Sequence, residues 1–226
     1  DEWFAEAHAT GLEVELELCS LQKALACMSD LPRGLNVCVN VGPEALADDD
    51  VLRLLMESDP RRIVIELTEQ EPVEDYPRLT EFITRLRLMG ARLAIDDTGA
   101  GFASLAHILK LSPDLIKLDR TLATGIDCDP VRRSLAAALV SFAEQTGAEI
   151  IAEGIETAGE LDVLGELGIR YGQGYFLGRP KPLDAVVWRP AHAIRSRLLA
   201  ELSASLTGGL AEALRARELS PAGRQA

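Results

Sequence analysis

The sequence predicts an α/β fold of the TIM-like (β/α) barrel type, incomplete at its N-terminus, with six of eight strands visible. Three observations predict it. Strand-like apolar runs alternate six times with helical stripes, which implies parallel strands joined by helical crossovers. No GxGxxG or GxxxxGK[ST] loop follows the first strand, as an open nucleotide-binding sheet would usually show. Polar residues also stand at the C-terminal ends of successive strands, where a barrel gathers its chemistry at one mouth.

The elements follow in order. Glu2 to Ala9 is a short helix closed at Gly11. Leu12 to Met28 carries Leu12, Leu16, Leu21, Leu25 and Met28 at helical spacing and is stopped by Pro32 and Gly34. Leu35 to Val41 is the first expected strand. Pro43 starts a helix expected from Glu44 to Glu57. Arg62 to Leu67 is a strand, and Glu74 to Met89 a helix ended by Gly90. Ala91 to Asp96 is the third strand and runs into Asp97-Thr98-Gly99-Ala100-Gly101. Phe102 to Leu109 is helical, Leu115 to Leu118 a strand, and Val131 to Gln145 a long helix. Glu149 to Glu153 is a strand, Thr157 to Leu167 a helix, and Tyr171 to Phe176 a last strand before Pro180 and Pro182. The Ala-, Leu- and Arg-rich stretch after Pro182 changes character. The expected division is therefore a barrel over 1–183 and a helical extension or linker over 184–226.

The 226 residues suit one full core. Aromatics are only 4%, so that core must be built from Leu, Ile, Val and Ala. A net charge of −13 argues against a nucleic-acid polymer or an anionic membrane surface as partner, though not against a phosphate ligand held by metal ions. Cys19, Cys27, Cys38 and Cys128 show no CxxC spacing and read as buried free thiols of a cytoplasmic, reducing environment. No apolar run approaches the roughly 20 residues of a membrane span. The chain starts at Asp1, and its first element is a helix; the two missing strands are expected upstream.

The strand ends carry the chemistry. Asn40, Glu66, Asp96 with Asp97, Lys117 and Glu153 stand at or near the ends of the first five strands, and Gln173 lies in the sixth. Each has an ordinary explanation alone: turn former, edge charge, snorkelling lysine, helix cap. Together they require a coincidence at the same end of five strands. Asn40, Glu66, Asp96, Asp97 and Glu153 are hard oxygen ligands, and His8, His107 and His192 fall at no strand end. The set favours Mg²⁺ or Mn²⁺ over Zn²⁺. Five oxygen donors exceed what one Mg²⁺ usually takes from protein, so two ions bridged by an Asp are expected, an arrangement that clamps a phosphodiester and generates hydroxide. Lys117 would hold the attacking water or offset charge on the phosphorane.

The segments Ile65-Glu66-Leu67-Thr68-Glu69, Asp96-Asp97-Thr98-Gly99-Ala100-Gly101-Phe102-Ala103-Ser104-Leu105, Ile116-Lys117-Leu118-Asp119-Arg120, Ala152-Glu153-Gly154-Ile155-Glu156-Thr157 and Gly172-Gln173-Gly174-Tyr175 resemble, in order, the motifs of the EAL-domain family. The resemblance runs from about Glu2 to Pro182. It implies a metal-dependent phosphodiesterase that opens cyclic di-GMP to linear pGpG in bacterial signalling. It also implies Asn40, Glu66 and Asp96 on a first metal, Asp96 and Asp97 on a second, Lys117 on the water, and Glu153 as ligand or base. Gln173 would contact substrate or the metal surroundings, Glu69 would anchor the loop after Asp97, and Glu156 would support the site. Further domains in the parent protein and a homodimer through the region after the Asp pair are expected as well. Two departures stand out. The family's Glu-Ala-Leu strand is absent, because Glu44-Ala45-Leu46 and Glu212-Ala213-Leu214 sit in predicted helices. Thr98 stands where the family often has Phe, which bears on loop gating and dimer coupling. Two other readings stay open: an inactive cyclic di-GMP receptor or regulatory module, and a different barrel lyase using strand-end carboxylates with a Lys.

Overall fold

A computed structural model describes residues 2–67, 73, 75–98 and 102–183. Helices α1 (Glu2–Thr10) and α2 (Glu13–Ala26) precede strand β1 (Val37–Val41). Helices α3 (Pro43–Leu46) and α4 (Asp49–Glu57) lead to β2 (Ile63–Leu67), and α5 (Tyr76–Leu88) to β3 (Arg92–Thr98). Helix α6 (Phe102–Leu111) precedes β4 (Leu115–Leu118). Helices α7 (Arg120–Ala123) and α8 (Pro130–Thr146) precede β5 (Glu149–Ala152), and α9 (Ala158–Glu166) precedes β6 (Tyr171–Gly172).

All six strands are parallel, and their order in the sheet is their order in the chain, β1 to β6. A doubly wound sheet reverses its order at a switch point; this one never does. With right-handed crossovers, stepping always in one direction puts every helix on the same face and curls the sheet into part of a (β/α) barrel. The core obeys that geometry. Val39, Ile63, Ile65, Leu67, Leu93, Ile95, Ile116, Leu118 and Ile150 point outward into one apolar cluster with Leu21, Leu55, Phe82, Leu86 and Leu164 of the helices. The residues between them form a small inner cluster of strand residues only, Val64, Ala94 and Leu115 with Ile151 against them. Every second residue of each strand thus faces an interior with little apolar lining, and that interior holds the polar strand ends.

Local chemistry sets the boundaries. Asp48, Asp75, Asp119 and Asp129 accept backbone N–H bonds at the starts of α4, α5, α7 and α8, so part of the acidic excess serves as helix caps. The Asp48 cap also splits the single helix expected from Glu44 to Glu57 into α3 and α4. Gly147 ends α8 in the left-handed conformation. Arg62 donates to the carbonyls of Met28, Leu31, Pro32 and Leu35 at 3.0–3.3 Å and fastens the α2–β1 connection to the start of β2. The sixth strand is shorter than expected. It stops after Gly172, because Gln173 and Gly174 turn back onto Ile155, whose N–H donates to the Gln173 carbonyl at 3.1 Å.

The four cysteines are free but exposed rather than buried. Cys19 lies in α2, Cys27 directly after it, Cys38 on β1 and Cys128 two residues before α8. The described fold belongs to a compact unit ending at Arg179, and the extension expected over 184–226 lies outside the described residues. No helix among the described residues is long and apolar enough to cross a membrane.

Candidate active site

Register and bulge place the site. Asn40 pairs with Glu66 across β1 and β2, and Glu66 with Ala94 on β3, so Asn40 and Glu66 share the inner face. On the β3–β4 edge, Ile95 pairs with Ile116 but Thr98 with Leu118. Three steps on β3 thus match two on β4, and the extra residue falls at Asp96-Asp97. A regular strand would send adjacent side chains to opposite faces; a bulge breaks that alternation and commonly re-aims a side chain beside a site. Lys117 is one residue from the end of β4, and Glu153 directly follows β5.

Three of these carboxylates converge on one ammonium. Lys117 Nζ lies 2.8 Å from Glu66 Oε2, 2.9 Å from Asp96 Oδ2 and 2.7 Å from Glu153 Oε1. Glu66, Lys117 and Glu153 come from β2, β4 and the end of β5, residues 51 and 36 positions apart, and only the barrel topology brings them together. Gln173 Nε2 donates to the same Glu153 Oε1 at 2.8 Å, and the backbone holds Gln173 in place, its N–H donating to Ala152 O at 2.8 Å.

The electrostatics follow from that count. Burial alone would lower the Lys117 ammonium, but bonds to Glu153, Glu66 and Asp96 outweigh it and hold the group protonated well above its ordinary value. Glu153 moves the other way from an ordinary salt-bridged acid. Burial raises it, Lys117 pulls it down, and the Asp96 and Glu66 charges push it up again, leaving it raised. One ammonium among three carboxylates leaves these four groups with two negative charges. Buried negative charge of this kind calls for cations. The donor set, all hard oxygen with an exposed Asn40 beside it, fits Mg²⁺ or Mn²⁺. Among the described residues no group of three acids, histidines or cysteines is placed to hold a metal ion directly.

Cys38 is exposed as a residue, yet its thiol is turned toward Glu66. Loss of water around the sulfur and the Glu66 carboxylate push it up to about 11, so it stays protonated at neutral pH. A concavity lined by Glu144, Glu149, Arg170 and Tyr171 opens at the opposite, N-terminal ends of β5 and β6, away from the carboxylates.

Of the residues singled out by sequence, Glu66, Asp96, Lys117, Glu153 and Gln173 form one connected group, and Asn40 stands beside Glu66 in register. Asp97 continues β3, with its side chain outside the described set, and Glu69 lies outside the described residues. Glu156 is exposed, and its N–H donates to Glu160 Oε2 at 2.8 Å. Glu160 is the residue the motif reading passed over. Only 3% exposed, it accepts from the N–H groups of Gly125, Glu156 and Thr157 at 2.8–3.0 Å and shapes the loop that follows Glu153. Its signal was in plain sight as Thr157-x-x-Glu160, a capping box that the structure completes in both directions.

Comparison with known proteins now gives this geometry a family. The EAL domain family profile matches residues 1–180. This chain belongs to the EAL domain family. It is 32% identical to the cyclic di-GMP phosphodiesterase RocR of Pseudomonas aeruginosa over 69% of this chain and 41% of that protein. It is 30% identical to the cyclic di-GMP phosphodiesterase PdeR of Escherichia coli over 81% of this chain and 29% of that protein. A solved manganese and cyclic di-GMP complex of Klebsiella pneumoniae BlrP1 superposes with a TM-score of 0.68 at 32% identity, over 74% of this chain and 45% of that one. The chain spans less than half the length of each of these three proteins.

Proposed function

We propose that this chain carries the hydrolytic centre of a cyclic di-GMP phosphodiesterase. The observation that carries the reading is the convergence of Glu66, Asp96 and Glu153 on Lys117 Nζ at the C-terminal ends of four parallel strands. Asn40, Glu66, Asp96, Asp97 and Glu153 would hold two divalent ions, Mg²⁺ or Mn²⁺, which when bound supply the positive charge that activates water and steadies phosphate oxygens. The family membership and the manganese-containing relative support that assignment.

This chain's own residues do the rest. Glu153, raised by burial and by its carboxylate neighbours, is suited to accept the proton of the attacking water. Gln173 fixes the Glu153 carboxylate by its 2.8 Å bond and orients it. Lys117 keeps its positive charge throughout and stabilises the negative charge that develops on the phosphorus oxygens. The water oxygen bonds to phosphorus, one phosphodiester P–O bond breaks, the departing ribose oxygen takes up a proton, and linear pGpG results. Only one of the two diester bonds of the cyclic substrate opens.

The partial coverage of longer relatives supports further domains in the whole protein, and a nucleotide second messenger as substrate supports a cytoplasmic site of action. Dimerisation through the region after Asp97 belongs to the same proposal. The test is chromatography of cyclic di-GMP incubated with the protein and Mg²⁺ or Mn²⁺. Appearance of pGpG supports the reading; tight binding without turnover moves it to a receptor, and neither binding nor turnover removes cyclic di-GMP from the account.

A further inference from the structure

One buried carboxylate ties together the two loops that leave the strand ends of Lys117 and Glu153. Glu160 lies in α9 and is only 3% exposed. As the third residue after the Thr157 cap it is expected to reach back to one backbone donor, the Thr157 N–H, which donates to its Oε2 at 3.0 Å. It takes two more. The Glu156 N–H donates to the same Oε2 at 2.8 Å, and the Gly125 N–H, 35 positions away in the chain, donates to Oε1 at 2.8 Å. Gly125 lies just past α7, the short helix that follows Lys117-Leu118-Asp119, whereas Glu156 and Thr157 close the loop that follows Glu153.

That second loop carries both a reacting carboxylate and the support of the residue that orients it. The Glu153 N–H donates to Leu118 O at 3.1 Å. Gly154 takes a left-handed φ of 67° and packs so closely on Arg120 that a Cβ would lie 2.5 Å from Arg120 Cβ. The Ile155 N–H donates to Gln173 O at 3.1 Å and Ile155 O accepts from the Phe176 N–H at 3.0 Å, so the turn that presents Gln173 rides on Ile155. Gln173 Nε2 in turn holds Glu153 Oε1 at 2.8 Å, the oxygen that lies 2.7 Å from Lys117 Nζ. The residue next to Ile155 is Glu156, whose N–H Glu160 fixes. We infer that Glu160 is a positioning residue for hydrolysis: by joining Gly125 to Glu156 and Thr157 it fixes the loop that follows Glu153, and through Ile155 and Gln173 it holds the Glu153 carboxylate in place. The inference rests on the hydrolysis proposed above and extends it to a residue that touches neither substrate nor reacting atoms. A helix cap with no further role would stabilise α9 and leave the chemistry unchanged.

The test separates position from stability. Steady-state hydrolysis of cyclic di-GMP with Mg²⁺ or Mn²⁺ is compared in wild type, Glu160→Ala, Glu160→Gln and Asp48→Ala, at a temperature where circular dichroism shows each to be folded. Asp48→Ala removes the cap of α4 and is the control for stability lost elsewhere. Glu160→Ala should lose about tenfold or more in kcat with KM within about twofold, because a misplaced reacting group slows the chemistry without weakening binding uniformly. Glu160→Gln keeps one oxygen for Glu156 and Thr157 and should recover most of that loss, and Asp48→Ala should keep the wild-type kcat. Amide hydrogen exchange gives a second readout. Ile155 and Gln173, whose N–H groups bond to Gln173 O and Ala152 O and not to Glu160, should gain more in exchange rate in Glu160→Ala than the amides of β2 do. If Glu160→Ala does not fold, Glu160→Asp, which keeps the charge on a side chain one methylene shorter, takes its place with the same expectations. An unchanged kcat, a loss carried by KM, a loss that Asp48→Ala shares or that Glu160→Gln does not relieve, or uniform exchange across the chain overturns the inference. A wild type that does not turn over cyclic di-GMP refutes the functional reading itself, and the inference falls with it.

Discussion

Replacing Glu160 by Ala should destabilise the chain without touching a reacting group. Its carboxylate accepts three backbone N–H bonds, from Gly125 at 2.8 Å, Glu156 at 2.8 Å and Thr157 at 3.0 Å. At a net of about 1–1.5 kcal/mol for each bond, the loss is about 3–4.5 kcal/mol, a sizeable part of an ordinary domain's stability. The bond from the residue-160 N–H to Thr157 Oγ1 survives in the variant, so the effect reports the carboxylate and not the helix cap as a whole. The effect also has a pH signature. Burial would raise the Glu160 acid, but the donors from Gly125, Glu156 and Thr157 outweigh it and hold the group below its ordinary value of 4.5. Its contribution is therefore fully present above pH 4.5 and is lost as pH falls through the lower, folded value. Urea unfolding of wild type and Glu160→Ala at pH 7 and at progressively lower pH measures both. A difference below 1 kcal/mol at pH 7, or one that does not shrink in acid, would refute the reasoning.

Three further predictions follow from other contacts. Arg62→Ala should cost about 2–3 kcal/mol by thermal unfolding, because four carbonyl acceptors lose a charged donor; Arg62→Lys should recover less than half, since an ammonium cannot reproduce the fork. Gly174→Ala should cost about 2–4 kcal/mol and displace Gln173 from Glu153, because the new Cβ would lie 2.2 Å from both the N and the O of Ile155. The structure predicts a larger loss of activity there than for alanine at Gly165, where nothing lies within 4 Å. Glu17 is raised by burial, a shift opposed by the Gly42 N–H and aided by Glu13 and Glu44. Its stability contribution is thus greatest below pH 4.5 and declines as pH rises through the folded value. Glu17→Gln, which retains an acceptor for Gly42, should therefore stabilise the chain at pH 7 to 8 and lose that advantage in acid, as urea midpoints across pH will show.

Much of the fold was legible because its signals are periodic. Strands such as Ile63–Leu67 and Leu115–Leu118 are short apolar runs bounded by turn residues, and Asp, Pro and Gly mark helix ends where α8 and its Gly147 cap lie. The inward-facing acids were legible too, since a charged residue inside Ile63-Val64-Ile65-Glu66-Leu67 has no reason to be there unless the strand has a polar face. What escaped was chemistry that depends on contact rather than pattern. The β3 bulge depends on a pairing with β4 that no single strand encodes. The end of β6 is set by Gly174 packing onto Ile155, two elements whose encounter the alternation of apolar residues does not announce. The α3–α4 break was announced by Asp48 as a helix cap, but the apolar stripe across it masked the signal. That Lys117 would bind the carboxylates themselves, rather than stand apart from them, is a distance and not a spacing.

The central claim is that Glu66, Asp96, Lys117 and Glu153 form a hydrolytic centre for cyclic di-GMP. The most direct test is turnover of cyclic di-GMP to pGpG with Mg²⁺ or Mn²⁺, comparing wild type with Asp96→Asn. The account predicts turnover in the wild type and a loss of at least about a hundredfold in Asp96→Asn, as expected when a charge that positions the reacting groups is removed. Equal turnover in wild type and Asp96→Asn, both folded and metal-loaded, would contradict it.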